Sequence, residues 1–470
     1  MEQSTPQSKD AGAWRGRPSG LPSGVPPPSV PLAYMGAAVV GLIGCGVALV
    51  LSRFYAVTDP TNDHVVGAAH FAMLATLSMG ILGAMHQFTP VITQRPLRSV
   101  RLSRATFVSW LLGAWLLPIG FITQREVVVE GGGGCAALAV GLFVFNIAPP
   151  LAARGKGPAA TGLRLAVIGF SLTACFGVVY VIDRRSQWFD LSGHVVLAHA
   201  CIGLLAWLGL TYLSVSEKLW PMFMLAHVPG RHLSAWLSIW SLFVGVAFLS
   251  PGLLLSITWL ALAGALLVVI GLAAHLYSLF TYLRHRRRGR DLHQWFVLGA
   301  SVWMIVGVIL AAVGSELMTH DHHRGVAFVA ASVTAIAGWL LVALVGHSYK
   351  IVPFIVWSAL RARGISRNAT GSALAFADLF NHTWSTLDFA IVNVGVAALC
   401  LGFVTSTSSL IIVGGVSLVI TALITGANLS WRPVKLLRAG AHLTDPAQPL
   451  APITQPATLR RRDASGDVTP

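Results

Sequence analysis

Long apolar runs alternate with short polar, basic segments along almost the whole chain. Twelve of them reach the roughly 20 residues needed to cross about 30 Å of hydrocarbon. They lie near 33–53, 66–89, 106–122, 134–153, 163–182, 194–215, 233–250, 253–282, 294–314, 325–349, 387–405 and 409–430. The pattern predicts an all-α integral membrane protein with twelve transmembrane helices. Its domains are a polar, Pro-rich, disordered cytoplasmic tail over 1–32, a membrane domain over 33–430 and a second such tail over 431–470.

Three runs echo one another. HFAMLATLSMGILGAMHQFTPVI begins at His70, HACIGLLAWLGLTYLSVSEKLWPMF at His199 and VTAIAGWLLVALVGHSYKIVPFIVW at Val333. Their closing prolines, Pro90, Pro221 and Pro353, are 131 and 132 residues apart. Gly83, Ser214 and Gly346 each stand seven residues before a proline. Such regularity predicts one four-helix unit used three times, with the echoing runs as the second, sixth and tenth spans.

Charge sets the orientation. With the N-terminus inside, the inner segments hold 27 of the 32 Lys and Arg residues, so both ends are predicted to be cytoplasmic. Basic loops of this kind face lipid headgroups. No basic–aromatic interleaving marks a nucleic-acid surface, and nucleic acid is excluded as a partner. Only 10% of the residues are charged, which rules out an ordinary soluble domain. A bacterial plasma (inner) membrane location is the expectation. The five cysteines fall inside apolar runs and read as small core residues. Phe376, Leu379 and Phe380, in the inner segment from Ala359 to Ser385, predict either a short amphipathic surface helix or a plain loop.

Ionisable groups are sparse. Glu217, Lys218, Glu316 and Asp388 are assigned to span ends, leaving no carboxylate at mid-membrane. Histidines carry the remaining chemistry. Seven of sixteen lie at the outer ends of the repeated helices: His64, His70, His194, His199, His320, His322 and His323. Imidazole ligates haem iron and copper, and bundle sites are built from facing helices. His70 reads either as an axial ligand or as a hydrogen-bonded core histidine. His194 and His199, five residues apart, are about 140° apart around a helix and make a poor chelate. THDHH, from Thr319 to His323, reads as a solvated loop or as a weak copper or zinc site. His86 and His347 mark inner ends, where interfacial placement, a quinone or headgroup contact and metal binding compete. His275 has no evident partner.

The twelve spans, the three-unit pattern and the His70–Pro90 relation resemble subunit I of the haem-copper oxidase superfamily over roughly 33–430. GHSYKIVPFIVW, from Gly346, and EKLWPMF, from Glu217, look like motifs of uncharacterised bacterial relatives of that subunit. The resemblance implies that His70 is a haem ligand. It also shows departures. Ala331 and Val333 stand where that family has two histidines, the seventh span has no histidine, and His199-Ala200-Cys201 replaces the copper motif. Oxygen reduction and proton pumping are therefore not expected. The implied function is a b-type haem, copper, or both, held on the outer side by His70 and His199, in redox, nitric oxide or respiratory metabolism. His194, His320, His322 and His323 are further candidate metal ligands. Expected partners are lipid and a redox protein or quinone. The alternatives are a non-enzymatic protein that handles, transports or assembles metal or haem on the same fold, and an unrelated twelve-span transporter.

Overall fold

The computed structural model describes residues 26–152, 157–188, 193–228, 233–287, 289–368 and 371–438. Most of the two expected tails, 1–25 and 439–470, lies outside the described residues. Among the described residues, twelve helices are long and apolar enough to cross a membrane. They are α1 (Ser29–Leu51), α2 (Asp63–Thr93), α3 (Val100–Thr123), α4 (Glu126–Ala152), α5 (Pro158–Ser186), α6 (His194–Met224), α7 (Leu233–Leu254), α8 (Thr258–Arg284), α9 (Leu292–His320), α10 (His322–Ala362), α11 (His382–Val404) and α12 (Ser408–Arg438). The chain is an all-α, multi-pass membrane protein. We call the side on which α1 begins, and on which even-numbered helices end, the near side.

Side-chain caps start several of these helices. Asn62 accepts from the His64 amide of α2, Asp291 from Gln294 of α9 and Asn381 from Thr383 of α11. Each satisfies an amide that has no partner in the first turn.

Helices α2, α6 and α10 form the centre. Of their most apolar windows 61%, 56% and 56% is buried, against 22% for α5 and 33% for α8. The three touch one another, and α1 packs on α12, joining the two ends of the chain around them. Two central helices widen in the same way. Phe71–Ser78 in α2 and Ile202–Gly209 in α6 are eight-residue π segments, offset by the 131 residues that separate Pro90 from Pro221. The Thr76 hydroxyl donates to the Phe71 carbonyl, five residues back, at 3.2 Å. The corresponding stretch of α10 stays α-helical.

The prolines do not close their helices. α2 runs past Pro90 to Thr93, α6 past Pro221 to Met224 and α10 past Pro353 to Ala362. Proline removes one intrahelical bond, which neighbouring helices tolerate in a membrane bundle. At 41 residues, α10 is about 60 Å long, twice the hydrocarbon thickness. Its near-side extension is covered by the segment expected to be a surface helix or loop. That segment forms a 3₁₀ turn at Phe376–Leu379, and Leu379 packs with Leu360, Ile365, Leu374 and Leu436. The Trp357 indole donates to the Leu374 carbonyl at 2.8 Å and fixes the turn.

Glu217 and Asp388, assigned by sequence to span ends, lie within α6 and α11. Asp388 is fully buried, accepting from Tyr349 at 2.7 Å and Thr425 at 2.5 Å. The Tyr282 hydroxyl donates to Glu217 at 2.6 Å. Tyrosine and threonine hydroxyls from other helices thus satisfy these carboxylates within the bundle.

Candidate functional site at the top of two central helices

His70 and His199 both lie toward the far side, on the neighbouring helices α2 and α6. His70 is the last residue of α2 before its π segment, and His199 precedes that of α6 by one turn. Their imidazoles are electrostatic neighbours. The Nδ1 of His70 is 2.8 Å from the Val66 carbonyl. A carbonyl only accepts, so Nδ1 carries the proton and the Nε2 lone pair is left for another group. This second bond is the one that ligating histidines use to fix tautomer and ring orientation. The Nδ1 of His199 is buried and has no hydrogen-bond partner.

Three aromatic rings lie in this region, two of them against the pair. Phe121 of α3 lies 5.1 Å from His70, and Tyr180 of α5 lies 5.4 Å from His199. The Tyr180 hydroxyl donates to the Val195 carbonyl at 2.5 Å and holds α5 against α6. Nearer the far side, Arg184 joins three helices. Its guanidinium pairs with Asp63 of α2 at 2.9 Å and with Glu126 of α4 at 2.7 Å, and sits 5.1 Å from the Phe121 ring. The third ring, Tyr55, stacks on His64 at 4.2 Å and caps the entrance to α2.

The other far-side histidines remain at the surface. His194 is exposed at the start of α6. His320 is exposed and lies 3.4 Å from Glu316, one turn back, while His322 and His323 are exposed in the first turn of α10. Among the described residues no three His, Cys, Asp or Glu side chains converge as a metal ion would require. The His70–His199 pair offers two imidazoles, fewer than a closed three- or four-ligand metal site takes.

A second cluster, largely illegible in the sequence, lies toward the near side. His275 of α8, which had no evident partner, meets Trp220 and Tyr212 of α6 at 4.9 and 5.5 Å. Tyr212 also meets His347 of α10 at 5.8 Å, and His347 meets His293 of α9 at 4.6 Å. One signal is present in the sequence: Tyr212 and His347 stand nine and six residues before Pro221 and Pro353, both in the near-side half of central helices. His86 is separate from this group. It lies 5.2 Å from Tyr34 of α1, with its Nδ1 bonded to the Leu82 carbonyl at 2.7 Å.

No protein-family model and no curated protein sequence matches the chain.

Proposed function

We propose that the chain is a divergent protein resembling subunit I of the haem-copper oxidases, which holds one b-type haem, or a copper ion, between His70 and His199. It serves electron transfer in respiratory or nitric oxide metabolism. One observation carries this reading: two imidazoles on adjacent central helices are electrostatic neighbours on the far side, each beside a π segment. π segments concentrate at functional sites because they re-aim side chains within a helix. A bis-imidazole haem supplies one-electron transfer. The protein's part is to orient His70 through the Val66 carbonyl, frame the pair with Phe121 and Tyr180, and place the Arg184 cation nearby. In the same reading the bundle is three related four-helix units, the near side is cytoplasmic and the membrane is the bacterial plasma membrane. The shared 131-residue offset of prolines and π segments supports the units, and the gathering of basic residues in near-side segments supports the orientation.

A second reading draws on the exposed His194, His320, His322 and His323. Surface imidazoles of this kind suit transient capture of copper by a non-enzymatic handling or assembly protein.

The test is a reduced-minus-oxidised visible spectrum of the detergent-purified protein, with iron and copper measured on the same sample. The haem reading expects a sharp b-type α band and about one iron per chain, both lost in His70→Ala and His199→Ala. Copper without a haem band, lost when the four surface histidines are replaced, supports the handling reading. Folded protein containing neither metal overturns both.

A further inference from the structure

The near-side cluster is unusual in what it leaves unpaired. The Tyr212 hydroxyl, the Trp220 indole nitrogen, both ring nitrogens of His275 and of His293, and one Glu217 oxygen are buried without a hydrogen-bond partner. The Tyr212 hydroxyl points toward Trp339 and Ser216 without completing a bond to either. Each such atom loses its hydration and gains nothing in return when left dry. Seven together would offset a large part of the stability of a typical domain. A dry cluster is therefore untenable.

The chemistry of the atoms narrows the occupant. A neutral histidine offers one donor and one acceptor, tryptophan a donor, tyrosine both and a carboxylate oxygen an acceptor. A bare cation cannot satisfy the donors, and among the described residues no three ligands converge on one. Water satisfies both kinds, and buried water commonly makes about three such bonds. At the near end, Lys350 of α10 pairs with Asp291 of α9 at 2.5 Å, and the Lys350 charge reaches His293. Both members of this pair are about one-quarter exposed, so it stands between solvent and the cluster.

We propose that this cluster is a hydrated chamber. Ordered waters bridge α6, α8, α9 and α10 and connect past the Lys350–Asp291 pair to near-side solvent. They give His275, His293 and His347 access to protons from that side.

X-ray hydroxyl-radical footprinting of the full-length protein in nanodiscs tests this, because radicals generated from bound water oxidise buried neighbours. Trp220 and Tyr212 should be oxidised at least several-fold faster than Trp207 and Trp110. Those two are as buried as Trp220, but their indole N–H groups are already bonded, to Ser78 and to the Leu74 carbonyl. After millisecond mixing with ¹⁸O-water, the added oxygen should carry the label. Oxidation of Trp220 and Tyr212 no faster than of Trp207 would overturn the hydrated chamber. Fast oxidation without ¹⁸O would overturn its link to the near side.

Discussion

The indole N–H of Trp207 donates to the Ser78 hydroxyl at 3.0 Å, so one buried hydrogen bond joins the π segment of α6 to that of α2. Ser78 is the last residue of its segment, and Trp207 lies in the middle of the other. The Phe170 ring of α5 stacks on Trp207 at 4.0 Å and holds the indole in plane with its partner. The bond lies below the His70–His199 pair and fixes how the two histidine-bearing helices meet.

Trp207→Phe keeps the stacking and removes the donor. It should lower stability by about 1–2 kcal/mol, the cost of losing a buried hydrogen bond. Ser78→Ala should cost a similar amount, and the double variant less than the two combined, because both remove the same bond. Apparent melting temperatures in detergent, read by tryptophan fluorescence, check this. Full additivity would show that the bond does not couple the helices.

The positions seven residues before the prolines predict where added volume is not tolerated. A Cβ on Gly83 would lie 2.6 Å from the Tyr34 Cβ of α1, and one on Gly346 would press on Phe296 of α9. Gly141 of α4 has open space around the same position. Gly83→Ala should therefore destabilise by about 1–3 kcal/mol through overpacking. Gly141→Ala should stay within about 0.5 kcal/mol of the parent protein. Thermal scans of the two variants decide it, and equal melting points would refute the close approach of α1 and α2.

Asp388 ties three helices together, accepting from Tyr349 of α10 and Thr425 of α12. Asp388→Ala leaves both hydroxyls buried without their acceptor and should cost about 2–4 kcal/mol. Asp388→Asn retains one carbonyl oxygen as acceptor and should cost roughly half as much. Size-exclusion profiles after a heating series rank the two, and an alanine variant as stable as the parent would remove Asp388 from the account of this interface.

All twelve spans and their order were legible because a bilayer demands about 20 apolar residues per crossing, and that demand is written locally. The register of the central helices was legible too, since Pro90, Pro221 and Pro353 mark it in the sequence. Helix ends were not. α10 extends to Ala362 because Leu360 finds apolar cover from Leu374, Leu379 and Leu436, which no window around Pro353 reveals. For the far-side pair, the sequence nominated His70 and His199. That their imidazoles are electrostatic neighbours depends on the packing of α2 against α6, which neither helix's own sequence contains. Tyr212, His275, His293 and His347 come from four helices, up to 135 residues apart in the chain. No periodicity joins them. Only the packing of α6 against α8 and α10, and of α9 against α10, decides that their rings touch in one series, because side-chain proximity across helices is set by crossing geometry and not by local sequence.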